Sequence, residues 1–283
     1  MLGHKMVQRL ALRDLWVAAT IRSPDIPKSP AVEASLGQAD LVSKGVDVLN
    51  DDQLADAVAA AKPDVIVNAV GIIKQIDAAR DPVISIATNA LLPHRIAALA
   101  ANRGIRLIHL STDCVFSGRK GPYGEDAVPD PVDLYGRSKL LGEPVGPRCL
   151  TLRTSIIGRE LRGRTGLVEW FIAQKGGSAT GYANALYSGL TTITIADLVG
   201  RLIVEYPELD GLWHVASAAI SKYELLRLVN LHYRLGVTLA RDESFVLDRR
   251  LDGGRFQART GFSAPSWDAM IEQMQADPTP YEA

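Results

Sequence analysis

The feature that most constrains this chain is the regular alternation of short apolar runs with helical stretches over its first two-thirds. A helical pattern covers Asp51 to Ala61, and an apolar run follows from Asp64 to Val70. A longer helical pattern then extends from Pro82 to Asn102, ended by Gly104, before the strand pattern of Ile105 to Leu110. Such alternation indicates βαβ units, and apolar strands are typical of parallel sheets covered on both faces. We therefore predict an α/β fold with a doubly wound, Rossmann-like parallel sheet.

The pattern also suggests how the chain divides. Further strands and helices are predicted at Leu15 to Ile21, Asp133 to Gly142, Cys149 to Thr154, Gly166 to Gln174, Leu212 to Ala216, Ser221 to Leu235 and Trp267 to Gln275. We predict a dinucleotide-binding domain over residues 1–155, to which residues 190–216 return. Residues 156–283 would form mainly a smaller substrate-binding lobe above the carboxyl ends of the strands.

Composition excludes several function classes. The net charge of the 283 residues is −1, which provides no field for nucleic acid or an anionic membrane. The two cysteines, Cys114 and Cys149, are expected to be buried, reduced thiols of a cytoplasmic protein. We find no apolar run approaching the roughly 20 residues that span a bilayer, and no signal peptide. The histidines lack metal-ligand spacing, so no metal site is expected.

A pair of residues suited to acid catalysis lies at Tyr135 and Lys139. Positions i and i+4 of a helix lie on one face. A phenol has a pKa near 10, and a nearby ammonium is expected to lower it. The pair would make the tyrosine usable as a general acid towards an alkoxide formed by hydride addition.

A hydroxyl is placed to assist this pair. The triplet Ser111, Thr112 and Asp113 directly follows the strand Ile105 to Leu110, where open α/β sheets place their ligands. A second donor beside the tyrosine can polarise a substrate carbonyl.

Two other strand ends indicate a nucleotide cofactor. Asn68, Ala69 and Gly71 end the strand Asp64 to Val70 with small residues that let a flat cofactor approach the backbone. Arg22 ends the strand Leu15 to Ile21, where an acid would favour NAD and an arginine accommodates the 2′-phosphate of NADP. We therefore predict NADPH, with NADH as the alternative.

Four ordered segments resemble the dTDP-4-dehydrorhamnose reductase branch of the extended short-chain dehydrogenases: Leu110 to Gly118, Leu134 to Glu143, Arg153 to Ser155 and Gly211 to Val215. The resemblance covers nearly the whole chain. It implies that Thr112 binds the keto oxygen of a nucleotide-linked deoxysugar, Tyr135 protonates it, and Lys139 tunes the tyrosine and holds the nicotinamide ribose. It also implies a role in polysaccharide precursor synthesis, and it leaves a homodimer open.

The chain departs from the family pattern in two places. Ile156 stands where the family usually has a tryptophan of the sugar pocket. Together with the run Gly71-Ile72-Ile73-Lys74-Gln75, this suggests a sub-branch acting on a different 4-keto hexose, which could be UDP-linked and N-acetylated. Gly3 resembles the third glycine of the family's phosphate-binding turn. We therefore expect the first strand and two glycines to be absent, and cofactor binding to be weakened.

Two other functions stay open at this point. The same Tyr135 and Lys139 would serve a nucleotide-sugar epimerase or dehydratase that retains bound NAD, although Arg22 disfavours NAD. Because relatives of this fold also serve as non-catalytic NADP-binding regulatory subunits, the fold alone does not decide between them.

Overall fold

The computed structural model describes residues 1–73 and 77–281. Its strands are β1 (Ala18–Thr20), β2 (Leu41–Ser43), β3 (Val65–Asn68), β4 (Arg106–Leu110), β5 (Cys149–Arg153), β6 (Ile156–Ile157), β7 (Ser178–Tyr182), β8 (Ala185–Tyr187), β9 (Leu190–Thr191), β10 (Gly211–His214), β11 (Ile220–Ser221), β12 (Thr238–Asp242) and β13 (Leu247–Asp248). Its α-helices are α1 (Leu2–Ala11), α2 (Pro30–Leu36), α3 (Asp51–Ala61), α4 (Pro82–Ser85), α5 (Leu92–Ala101), α6 (Leu134–Leu141), α7 (Leu167–Ile172), α8 (Thr192–Glu205), α9 (Lys222–His232), α10 (Gly254–Thr260) and α11 (Trp267–Gln275).

A parallel sheet with the strand order β10-β5-β4-β3 forms the centre of the fold. Every residue of β4 and β5 is buried, as expected for strands covered by helices on both faces. The prediction of a doubly wound α/β fold is confirmed. Within the described residues β1 pairs in parallel with β2 alone, and β3 pairs with β4 alone. The absence of a first strand stays a prediction.

Most predicted elements lie where the sequence places them. Helices α3 and α11 match their predicted bounds, whereas the predicted strands are shorter by one to several residues. Strand β10 pairs in parallel with β5, so the stretch predicted at Leu212 to Ala216 does lie in the main sheet. The short strands β6 to β9 and β11 to β13 were not predicted, because two to five residues are too few to show a period.

The helix predicted at Pro82 to Asn102 has a more complex form. A π-helical turn, Ile86–Leu91, separates α4 from α5, and Gly104 then turns the chain with a φ of +67°. Pro82–Ala101 is long and apolar enough to cross a membrane by length and composition, which corrects the statement that no run approaches that size. In the fold, Leu92 and Ile96 are buried against the sheet, as in a core helix of a soluble protein.

The second half of the chain adds three small sheets among the described residues, β11-β8-β13, β7-β12 and β6-β9. The final residues return to helix α1. Lys5 forms a buried ion pair with Asp277 and donates to the Thr279 hydroxyl at 2.9 Å, while His4 contacts the Tyr281 hydroxyl at 2.9 Å. The predicted boundary between a cofactor domain and a substrate lobe stays a prediction.

Candidate active site

Helix α6 carries the predicted Tyr/Lys pair. Asp133 caps its first turn, because its carboxylate accepts from the Gly136 amide at 2.7 Å. A Cβ at Gly136 would collide with the carbonyl oxygen of Cys114, so this position requires glycine. The cap and the glycine together bring the first turn of the helix against the loop that follows β4.

Thr112 and Tyr135 meet at this contact. The Thr112 side chain lies beside the Tyr135 phenol, and its hydroxyl donates to Asp113 Oδ1 at 3.2 Å. Thr112 is 6% exposed. Burial raises the pKa of the phenol above its usual value, and the Thr112 contact only partly opposes the rise. The expectation that Lys139 lowers this pKa is therefore wrong for the arrangement described. The Lys139 amino group is directed elsewhere, and desolvation dominates.

Lys139 is buried under strand β4. Its Nζ donates to the Leu110 carbonyl at 2.7 Å and lies 3.4 Å from His109 Nε2. Burial lowers the pKa of Lys139 to about 8, and the Glu143 carboxylate opposes this shift. A lysine with such a pKa exchanges its proton near neutral pH, which an exposed lysine does not.

Sequence reasoning did not find a buried network below these residues. Glu143 accepts from the Ser111 hydroxyl at 2.5 Å and from Arg153 Nε and Nη2 at 2.8 and 2.7 Å. Arg153 also contacts His214 Nε2 at 3.3 Å, which joins β5 to β10. The Ser111 hydroxyl thus binds the Glu143 carboxylate, whereas the Thr112 hydroxyl lies beside Tyr135. The only signal in the sequence was the order of these residues in the family motifs.

The Asp113 carboxyl is also close to Tyr135. Burial raises the pKa of its carboxyl, and the charges of Lys222 and Arg249 oppose that rise. Arg249 is 7% exposed, so it is a buried cation rather than a solvated surface residue.

The loop after β3 is held by side-chain amides. Asn68 is 3% exposed, and its Nδ2 lies 3.1 Å from His109 Nδ1. Asn89, in the π-helical turn, accepts from the Ile72 amide at 2.8 Å and donates to the Ile72 carbonyl at 2.9 Å. Ala69 is half-buried and Gly71 is exposed on this loop. Asn89 could not be predicted from sequence, because its partner lies 17 residues away.

The two remaining predicted cofactor positions are accessible. Helix α1 has no side-chain cap at its N-terminus, and a Cβ added at Gly3 would meet no atom within 4 Å. Uncapped amides at the start of a helix suit a phosphate group. Arg22 is exposed just beyond the end of β1. The residues present therefore fit a dinucleotide phosphate and an adenosine 2′-phosphate, although these two positions stay predictions.

Residues of the proposed sugar side are only partly described. Ile156 is half-buried in β6, which pairs with β9. Lys74 and Gln75 lie outside the described residues. Within residues 1–73 and 77–281 no group of three His, Cys, Asp or Glu side chains could hold a metal ion. The expectation of a metal-free site stays a prediction.

A doubly wound sheet that brings a strand-end threonine to a Tyr-x-x-x-Lys helix defines a short-chain dehydrogenase/reductase. A family profile described as the RmlD substrate binding domain matches residues 1–237. The chain belongs to this family, and the resemblance stated from the motifs is confirmed.

Known proteins support this assignment. The dTDP-4-dehydrorhamnose reductase of Salmonella typhimurium is 28% identical, over 88% of this chain and 92% of its own length. The solved dTDP-4-dehydrorhamnose reductase of Bacillus anthracis, in complex with NADP, superposes with a TM-score of 0.75 at 20% identity, covering 91% of this chain and 97% of its own. A short segment is 55% identical to methionine adenosyltransferase 2 subunit beta of Danio rerio, over 18% of this chain and 16% of that protein.

Proposed function

We propose that this protein reduces the 4-keto group of a nucleotide-linked deoxysugar, with NADPH as the reductant and NADH as a weaker alternative. The observation that carries the proposal is the contact of Thr112 with the Tyr135 phenol, one helical turn from Lys139. The named reductases in the same family support the substrate class.

Each of the three side chains has a separate task. The Thr112 hydroxyl holds the keto oxygen, and Tyr135 donates its phenolic proton to that oxygen as the carbon is reduced to a secondary alcohol. The raised pKa of Tyr135 keeps the phenol protonated until the alkoxide forms. Lys139, one helical turn away, is the proton reserve, because its pKa of about 8 lets it hold a proton at neutral pH and release it. To return a proton to the phenolate, its amino group turns from the Leu110 carbonyl towards Tyr135.

NADPH supplies the hydride when bound, and it becomes NADP⁺. The residues that would hold it are the helix-start amides at Gly3, the Arg22 guanidinium, the loop positions Asn68, Ala69 and Gly71, and the side chains of Tyr135 and Lys139. A charge-assisted contact from Arg22 to the 2′-phosphate would set the preference over NADH.

The test is NADPH consumption by the purified chain against a panel of dTDP- and UDP-linked 4-keto sugars. We expect one sugar to support turnover and Tyr135→Phe to abolish it. Consumption by the Phe variant at the wild-type rate would refute the role of Tyr135. Failure of every sugar in the panel would refute the proposed reduction.

A regulatory role is the second candidate, because the short match to methionine adenosyltransferase 2 subunit beta is a specific observation in its favour. Such a subunit would bind NADP and change a partner's activity without turnover of its own. Tyr135→Phe separates the two, because it should abolish a reductase and leave a regulator's effect on its partner intact.

We place the reaction in the cytoplasm, where thiols such as the buried Cys114 and Cys149 stay reduced. We propose that no nucleic acid or membrane takes part, given the net charge of −1. A homodimer is the simplest oligomer for such a reductase. Light scattering of the purified protein measures its mass directly.

A further inference from the structure

His109 links two parts of the site and has no role in the chemistry described above. It lies in β4, its side chain is fully buried, and its ring stands between Asn68 and Lys139. Asn68 Nδ2 is 3.1 Å from His109 Nδ1, and Lys139 Nζ is 3.4 Å from His109 Nε2. The ring therefore connects the end of β3 to the face of α6 that carries Lys139.

The orientation of Asn68 fixes which ring nitrogen carries the proton. The backbone amide of Val70 donates to Asn68 Oδ1 at 3.1 Å, and only the oxygen of the side-chain amide can accept there. The NH₂ group of Asn68 must then face His109, so Nδ1 has to be the acceptor. Burial lowers the pKa of His109 well below its usual value, with the charge of Lys139 as the second cause. The neutral ring thus carries its one proton on Nε2.

This arrangement acts on Lys139. The His109 Nε2–H group then faces Lys139 Nζ. This contact is favourable only when Lys139 Nζ has a lone pair to accept the hydrogen bond. An ammonium has none, whereas an amine accepts this proton while still donating to the Leu110 carbonyl at 2.7 Å.

We propose that His109 is a positioning residue for Lys139: it disfavours the ammonium form so that the lysine can pass a proton to Tyr135 at neutral pH. The catalytic part of this inference rests on the proposed function. An unassisted lysine would hold its proton too tightly to return it quickly, because proton transfer is efficient when the donor's pKa lies near the working pH.

Other charged groups around Lys139 do not replace this effect. Glu143, just beyond the end of α6, raises the pKa of Lys139, but its carboxylate is already shared with Ser111 and Arg153. His94, from α5, contributes to the low pKa of His109 through its charge. Among these neighbours His109 places an N–H donor, rather than an acceptor, against the amine.

The first measurement is the tautomer of His109, from side-chain ¹⁵N NMR of the whole chain without substrate. We expect a neutral ring protonated at Nε2, with its Nε2 shift following the titration of Lys139 near pH 8. The isosteric variant Asn68→Asp presents only acceptors to Nδ1, so it should move the proton to Nδ1. A wild-type ring that is cationic, or protonated at Nδ1, would overturn the proposal.

The second measurement is the pH profile of reduction. Lys139 must be protonated to return a proton, so kcat should fall as the pH rises through about 8. In His109→Asn the shorter side chain can still meet Asn68 but does not reach Lys139. The midpoint should then rise by about one pH unit, while the KM values for sugar and NADPH change little.

His232 provides the matched control. It lies on α9, away from Lys139, and its ring contacts Asp268. His232→Asn should leave the midpoint unchanged. A lower kcat in His109→Asn with an unmoved midpoint would show a merely structural role and overturn the proposal. If no sugar is reduced, the proposed function fails, and the NMR titration alone decides whether His109 controls the proton of Lys139.

Discussion

At the scale of single residues, the site works by pushing two pKa values in opposite directions. Burial raises the pKa of the Tyr135 phenol, and burial also lowers the pKa of Lys139, since a dry environment disfavours the charged form of each group. The phenol therefore stays neutral, whereas Lys139, with a pKa of about 8, still carries its proton at neutral pH but releases it more easily than an exposed lysine. Such a divergence between adjacent groups is typical of sites that assign one the acid role and the other the supply of protons.

Tyr135→Phe is expected to lower kcat by about 10²- to 10⁴-fold, which is the usual contribution of general acid catalysis. The buried ring is kept, so the melting temperature should change little. Tyr182→Phe is the matched control, because Tyr182 is exposed on β7. Equal losses in both variants, measured by steady-state kinetics, would contradict the role of Tyr135.

Arg22→Asp is expected to reverse the cofactor preference. Loss of a charge-assisted contact to the 2′-phosphate should lower kcat/KM for NADPH about tenfold to hundredfold relative to NADH. Arg22 is exposed, so stability should not change. Lys28 is another exposed cation in the connection between β1 and α2, and Lys28→Ala should leave the ratio of kcat/KM for NADPH to that for NADH unchanged. An unchanged ratio in Arg22→Asp as well would contradict the assignment.

At the scale of secondary-structure elements, the sequence predicted what depends on local pattern. Helix α3 was predictable from its apolar face, and β4 from its uninterrupted apolar run. The hydrogen-bond partners of Asn89, His109 and Arg153 could not be predicted from the sequence. Each partner lies on another part of the fold, and the contact depends on how the elements cross. The proposed catalytic residues Thr112, Tyr135 and Lys139 could be predicted only because a strand end and a helical spacing of four are local features.

Gly136→Ala tests the crossing of α6 over the loop that follows β4. The added methyl would overlap the Cys114 carbonyl oxygen, and such overpacking costs about 1–3 kcal/mol. We expect a lower free energy of unfolding in urea and a lower kcat, because Tyr135 must shift with its helix. Arg137→Ala changes the next, exposed position and should affect neither quantity strongly. A Gly136→Ala variant with wild-type stability would refute this account of the crossing.

At the scale of the whole molecule, residues 277–281 join the end of the chain to helix α1. Burial of the Asp277 carboxylate raises its pKa. The hydrogen bond and the charge of Lys5 lower the pKa by more than burial raises it, so the pKa of Asp277 is lowered overall. A carboxyl with a depressed folded pKa stabilises the fold above its unfolded pKa, and this stabilisation is lost as the pH falls through the folded value.

Asp277→Asn should cost about 3 kcal/mol at neutral pH, because it leaves the buried Lys5 without its countercharge. The difference from wild type should shrink when urea unfolding is repeated at a pH well below about 4, as the wild-type carboxyl is protonated at its lowered folded pKa. Asp268→Asn, at an exposed pair with His232, should have little effect at either pH. A difference that persists in acid would contradict the ion-pair explanation.

The π-helical turn at Ile86–Leu91 separates two consequences of a change in length. A π-turn accommodates one more residue than the α-helical turn it replaces. Deleting a single residue there would let the segment relax to regular α-helix, and the side chains that follow would keep nearly their present orientation. Leu92 and Ile96 would then stay against the sheet, but the turn would lose the geometry by which Asn89 reaches Ile72. Such a deletion should therefore spare the packing of the helix and release the loop after β3.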